Sequence, residues 1–290
     1  MSRASGDVDA PIEIVRDAVR RALAEDLGPL GDLTASLVPV DATADVDVVA
    51  RAEGVLAGTA CATEVFAQLD TNVVVDWLAV DGASVVRGTK FGTVRGPLRS
   101  VLTGERTALN FLCHLSGVAT MTRRFVAAAG DGIQVWDTRK TLPGLRALEK
   151  AAVRAGGGVN HRASLSEMVL IKDNHLAGVS IGDAVREALA RWPGRAVEVE
   201  CDRVEQVHEA LAAGATMVLL DNMTPEQVQT CVEVVGRRLL VEVSGGVTVE
   251  NVRAYADTGA DLVSTSVITQ SAPALDLGFD ITPDVTADIG

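Results

Sequence analysis

Apolar residues near the start of the chain recur at spacings of three and four: Ile12, Val15, Val19 and Leu23. With Pro11 suited to a first turn and Gly28 able to stop it, this spacing predicts a helix. Residues 41–100 carry a different pattern. Val46, Val48, Val73 and Val75 sit in alternating runs, and glycines at 54, 58, 82, 88, 92 and 96 punctuate them, which predicts a β-rich region. Thr103 is the expected N-cap of a long helix reaching about Ala128.

Beyond that helix the pattern becomes strand–helix alternation. Apolar strand runs fall at Ile133–Trp136, Met168–Ile171, Val197–Val199, Met217–Leu220, Leu239–Val243 and Leu262–Ser264. Between them lie helical stretches: Leu145–Ala155 stopping at Gly156, Val204–Ala213 stopping at Gly214, one opening at Pro225, and Val249–Thr258 stopping at Gly259. Parallel strands need crossover helices, so repeated βα units of this kind predict a parallel sheet. After Ser271, alternation through Leu275, Leu277 and Phe279 reads as a last strand with no helix behind it, returning to the N-terminal part.

Each strand run delivers polar residues at its C-terminal end: Asp137-Thr138-Arg139-Lys140, then Lys172, Glu200, Asp221, Ser244-Gly245-Gly246 and Thr265-Ser266. A closed α/β barrel gathers such ends on one face, whereas an open doubly wound sheet collects ligands only near its switch point. Six polar ends favour the barrel.

The 290 residues are 48% hydrophobic and 22% charged, enough for two domains or one large barrel and incompatible with global disorder. The first 25 residues hold acids throughout and no apolar core, arguing against a secretory signal. Cys61, Cys113, Cys201 and Cys231 form no CxxC pair and read as reduced thiols of a cytoplasmic protein. A net charge of −13 argues against nucleic-acid binding, and no run is apolar enough for a membrane span. Against that acidic background, residues 137–175 hold seven Lys/Arg and four acids, a composition that suits a small anion. A solvated helix face suffices for Arg146, Lys150 and Arg154, but not for Arg139, Lys140, Arg162 and Lys172.

The Ser244-Gly245-Gly246 turn, ahead of a helix expected near Thr248, reads as a phosphate cradle with Thr265-Ser266 beside it; its plainer alternative is an ordinary tight turn. Glu200 and Asp221 suit hydrated Mg²⁺ or ribose hydroxyls, or else structural ion pairs, and Glu198 shares the face of Glu200. Arg139, Lys140, His161, Arg162 and Lys172 exceed what one phosphate needs and suggest two anionic ligands. His161 as a general base and Lys172 as a Schiff-base lysine stay open on chemistry alone.

Several blocks together resemble the quinolinate phosphoribosyltransferase family. They are Glu25-Asp26-Leu27 with Gly31-Asp32-Leu33-Thr34, the stretch from Gly104 to Asn110 (GERTALN) and that from His114 to Thr120 (HLSGVAT). The stretches from Asp137 to Arg146 (DTRKTLPGLR), Gly156 to Arg162 (GGGVNHR) and Ile171 to His175 (IKDNH) follow, then Leu220-Asp221-Asn222 and Glu242-Val243-Ser244-Gly245-Gly246. The resemblance spans roughly residues 12–282.

It implies an α/β fold of two parts: an N-terminal α/β sandwich domain (1–114, with a tail, 272–290, returning to it) and an open (β/α) barrel (115–271) of the type II phosphoribosyltransferase kind. It implies phosphoribosyl diphosphate and quinolinate as substrates, Mg²⁺ as cofactor, and a homodimer or higher oligomer. Arg139, His161, Arg162 and Lys172 would line the quinolinate site, joined by Arg106 from a neighbouring subunit, and Thr138 would also bind substrate. Lys140 would face the diphosphate, and Glu200 and Asp221 would hold the ribose and Mg²⁺ region. Ser244, Gly245, Gly246, Thr265, Ser266 and Val267 would cradle the 5-phosphate. Two residues depart from the family pattern, Ser266 where relatives commonly carry Gly and Gln270 where many carry His or Lys. No protein nucleophile is required by such a reaction, which weakens the Schiff-base alternative. A non-catalytic phosphate-binding barrel and a pyridine phosphoribosyltransferase with another acceptor are the competing readings.

Overall fold

The computed structural model describes residues 9–284. In chain order the elements are α1 (Ile12–Leu27), β1 (Thr43–Ala50), β2 (Gly54–Val55), α2 (Thr59–Leu69), β3 (Val74–Trp77), β4 (Ser84–Val85), β5 (Lys90–Pro97) and α3 (Leu98–Ala129). There follow β6 (Gln134–Trp136), α4 (Arg146–Ala155), β7 (Val169–Ile171), α5 (Asp173–Leu176), α6 (Ile181–Arg191), β8 (Val197–Cys201) and α7 (Val204–Ala213). The chain closes with β9 (Met217–Asp221), α8 (Pro225–Val235), β10 (Leu240–Ser244), α9 (Val252–Ala256), β11 (Leu262–Ser264) and β12 (Leu277–Asp284). By their contacts these fall into two compact units. One holds the described residues up to Met121, Leu142–Gly157 and those from Ala272 onward; the other holds Thr122–Thr141 and Gly158–Ser271. Among the described residues no helix is long and apolar enough to cross a membrane.

The first unit is built on an antiparallel sheet ordered β12-β1-β5-β3. Alternation along β1 buries Ala44, Val46, Val48 and Ala50 on one face, as a half-buried strand requires. The region expected to be β-rich also contains a helix. α2 buries Cys61, Ala62, Val65 and Phe66, and Phe66 stacks on Phe279 of β12 at 6.2 Å. The long helix starts at Leu98, not at Thr103. Pro97 ends β5, Leu98 and Val101 are buried, and Thr103, inside the helix, donates its hydroxyl to Asp32 Oδ2 at 3.0 Å. The solvated face expected for Arg146, Lys150 and Arg154 is also absent. Lys150 is 4% exposed, and Arg154 is half-buried with its Nη2 donating to the Asp9 carbonyl at 2.8 Å.

The second unit is a parallel sheet in the order β6-β11-β10-β9-β8-β7. Val159 adds a bridge on the far side of Trp136 in β6, with its N–H donating to the Val135 carbonyl at 2.9 Å. Read around the ring, Val159 lies next in chain order between β6 and β7, so a seven-stave barrel is closed everywhere except between Val159 and β7. The helices dock outside through apolar stripes such as Val228, Cys231 and Val235 of α8. All strands run parallel, so their C-terminal ends open on one face.

Candidate active site

Every expected second-unit residue lies at or just beyond a stave's end. Thr138, Arg139 and Lys140 follow β6; His161 and Arg162 follow Val159; Lys172 follows β7; Glu200 lies in β8 and Asp221 ends β9. Ser244 ends β10 ahead of Gly245 and Gly246, and Thr265, Ser266 and Val267 follow β11. Asp221 and Ser244 are register partners on neighbouring strands. Arg106 is not among them. It lies exposed on α3 in the first unit and, among the described residues, makes no hydrogen bond or ion pair.

The cationic side is held by its backbone. Lys140 donates its N–H to Thr138 Oγ1 at 2.9 Å, and its carbonyl accepts from Thr269 Oγ1 at 2.7 Å, so the exposed side chain projects from a pinned main chain. Buried Asp137 accepts from the His161 N–H at 2.8 Å and from Asn160 Nδ2 at 2.7 Å, staking the loop that carries Arg162. Arg162 Nη1 donates to the Met168 carbonyl at 3.1 Å, across the open seam of the barrel. Burial, and the charge of Arg139 nearby, pull Arg162 below its ordinary value, while Glu198 and Glu242 act against them.

Lys172 pairs with Glu200, a cation and a carboxylate expected in different subsites. A carboxylate neighbour is the opposite of the apolar wall or second cation that activates a Schiff-base lysine, which argues against that alternative. Among the described residues Glu200 Oε1 and Asp221 Oδ1 have no hydrogen-bond partner, whereas Asp221 Oδ2 accepts from Asn222 Nδ2 at 2.8 Å.

The turn after β10 demands glycine. Gly245 has φ +87°, and a Cβ there would lie 2.2 Å from Asn222 Oδ1. Asn222 is itself left-handed, at φ +56°, and donates its N–H to the Ser244 carbonyl at 2.9 Å, locking the β9 and β10 ends together. Gly245→Ala should therefore lose about 2–4 kcal/mol of stability, from the left-handed backbone and the forced displacement together. A urea midpoint unchanged from wild type would show that the turn gives way freely. The helix expected from Val249 is only Val252–Ala256, so the glycine turn does not lead directly into a helix terminus.

A layer below lies a cluster in which sequence reasoning assigned Glu242 no role. Residues two apart in a strand share a face, so Glu198 and Glu242 point inward beneath Glu200 and Ser244. His161 Nε2 is 3.3 Å from Glu198 Oε2 and 3.3 Å from Glu242 Oε2, and both glutamates are 0% exposed. Burial opposes a charged imidazole, but the two carboxylates outweigh it and raise His161 to about 9. Burial, first of all, raises Glu198 to about 7. Against a doubly protonated ring stands the Arg162 N–H, which donates to Nδ1 at 2.7 Å. A ring that accepts at Nδ1 carries its single proton on Nε2. Asn160, Asn222 and Glu242 were legible only as members of motif blocks, and Asp137 only as one of several polar residues at a strand end.

Comparison with known proteins fits this geometry. The family model described as quinolinate phosphoribosyl transferase, N-terminal domain, matches residues 32–116, and that for the C-terminal domain matches 118–280. The nicotinate-nucleotide pyrophosphorylase [carboxylating] of Mycobacterium leprae is 43% identical, covering 94% of this chain and 99% of the relative. A probable enzyme of the same name from Bacillus subtilis is 41% identical over 89% of this chain and 90% of its own. The solved nicotinate-nucleotide pyrophosphorylase of Francisella tularensis superimposes with a TM-score of 0.91 at 37% identity, covering 97% of this chain and all of that one.

Proposed function

The chain belongs to the quinolinate phosphoribosyltransferase family, and from that premise we propose that its strand-end site joins quinolinate to phosphoribosyl diphosphate in NAD biosynthesis. The products are nicotinate mononucleotide, diphosphate and CO₂. The observation that carries this reading is the convergence on one barrel face of three kinds of group. Arg139, Lys140, Arg162 and Lys172 supply cations, Glu200 and Asp221 supply carboxylates, and the Ser244–Gly246 turn supplies backbone donors.

The chemistry follows from charge. Both substrates are polyanions, and guanidinium forks match carboxylates while a lysine meets a phosphate as a point charge. Arg139, Arg162 and Lys172 hold the two carboxylates of quinolinate. Its ring nitrogen forms the bond to the anomeric carbon as the bond to diphosphate oxygen breaks, and Lys140 meets the departing charge. The C–C bond to the 2-carboxylate then breaks, its electron pair resting on the carbon beside the pyridinium nitrogen until a proton replaces CO₂. Mg²⁺ fits the donor set, since Glu200 Oε1 and Asp221 Oδ1 are hard oxygens without hydrogen-bond partners among the described residues. When bound, Mg²⁺ neutralises diphosphate charge. A homodimer in which Arg106 reaches the partner's acceptor site accounts for an exposed arginine that makes no hydrogen bond or ion pair among the described residues. Thr107, Asn110 and His114, on the turns of α3 that follow, line a cavity of about 730 Å³ in the first unit.

The direct test supplies quinolinate, phosphoribosyl diphosphate and Mg²⁺ and looks for nicotinate mononucleotide and CO₂. Nicotinate in place of quinolinate loses one charge-assisted contact of roughly 1.5–3 kcal/mol, so its kcat/KM should fall about 10- to 150-fold. Comparable values for the two acids would defeat the dicarboxylate reading.

A further inference from the structure

Glu198 and Glu242 take no part in the chemistry above, yet both are fully buried. Among the described residues their four carboxylate oxygens have no hydrogen-bond partner, only the two long contacts to His161 Nε2. Burying carboxylates this way is costly, and the cluster has two physical explanations. His161 Nε2 and one oxygen from each glutamate all lie within 4.8 Å of one another, a spacing that a cation could fill as readily as a shared proton.

The other ring nitrogen separates the two. Metal-bound histidines donate their second N–H to an acceptor, which fixes the tautomer. Here Nδ1 faces a donor, the Arg162 N–H at 2.7 Å, and so carries no proton. A neutral ring must then be protonated on Nε2, the nitrogen that lies 3.3 Å from one oxygen of each glutamate. We propose that Glu198 and Glu242 are positioning residues of the acceptor site: they hold the proton on His161 Nε2, which leaves Nδ1 to anchor the backbone of Arg162 and aim its guanidinium. The proposal rests on the placement of Arg162 in that site. His161 then serves the substrate through Arg162, because both ring nitrogens are engaged within the protein. The ring has little freedom to turn otherwise, with Trp136 packed edge-on at 5.5 Å and Asp137 holding the His161 N–H.

The test begins on the wild-type protein without ligands, by ¹⁵N NMR of its four histidines, with His161 assigned from the spectrum of His161→Gln. The expected signature is a neutral ring protonated on Nε2 with an accepting Nδ1. A His161 protonated on Nδ1, or one equivalent of metal in the purified protein, overturns the proposal whatever the kinetics show. In Glu198→Leu with Glu242→Leu the signature should disappear and the KM for quinolinate rise about tenfold or more, because small misplacements of a binding group carry large penalties. The KM for phosphoribosyl diphosphate should stay within about twofold, since only the acceptor side is misaligned. Glu198→Gln with Glu242→Gln keeps an acceptor oxygen at each position and should retain both the tautomer and the quinolinate KM. Equal losses for both substrates, or Gln variants as impaired as the Leu pair, overturn it in favour of a merely structural role. Arg162→Ala reads the underlying placement separately: an unchanged quinolinate KM in that variant refutes the pocket assignment itself, even with the tautomer as expected.

Discussion

Arg106→Ala and Lys172→Ala proteins, each nearly inactive alone, should recover about a quarter of wild-type activity when unfolded or dissociated together and reassembled, because random pairing makes about half of all dimers mixed. The logic lies in which chain owns each residue. Lys172 stands at the end of β7 in the second unit, paired with Glu200. Arg106 stands exposed on α3 in the first unit and makes no hydrogen bond or ion pair among the described residues. If Arg106 serves the partner's site, one site of a mixed dimer carries both substitutions and the other carries neither. If it serves its own chain, every site in the mixture carries one defect. Native mass spectrometry showing mixed dimers while activity stays at the single-variant level would rule out donation across the interface.

Lys140→Ala should lower kcat by about 10²- to 10³-fold, the usual consequence of removing one preorganised group from developing charge. Quinolinate affinity measured without phosphoribosyl diphosphate should change by less than about threefold, since a group used only in the transition state adds little to ground-state binding. The structure makes this a clean substitution. Thr138 and Thr269 bind the Lys140 main chain, not its side chain, so the loop keeps its anchors when the ammonium is removed. Equal losses in kcat/KM and in quinolinate affinity would place Lys140 among the acceptor-binding groups instead.

The barrel was readable because its strands are short apolar runs closed by polar residues, and parity along them brings Glu200 and Ser244 to the inner face. Helix Val204–Ala213 agrees to the residue, since Gly214 adopts the left-handed C-cap that its position suggests. Local pattern failed where tertiary context decided. α2 was hidden by the glycines around it, although Ala62, Val65 and Phe66 carry a helical spacing. The stave at Val159 is a single bridge, too short to leave any periodicity. The start of α3 was misplaced because Thr103, a good capping residue by type, spends its hydroxyl on Asp32. For the site, motif blocks named most of the residues at the strand ends, but not their partners. The contacts of His161 with Glu198 and Glu242 join three staves distant in sequence, and no local signal announces which buried acid meets which imidazole.

The pairing of β1 with β12 bears on how such a chain is made. Thr43 meets Asp284 and Ala50 meets Leu277, so the outermost strand of the first sheet comes from the far end of the sequence. A ribosome delivers residues in order, and domains ordinarily fold as they emerge. This one has to wait: until residues 277–284 arrive, β1 keeps one row of backbone donors and acceptors unpaired, on a strand whose inner face carries Val46 and Val48. A fragment ending near residue 116 would keep that sticky edge permanently. Expression of the first unit on its own therefore calls for grafting the β12 segment back on, and nascent chains halted before it are natural clients for chaperones.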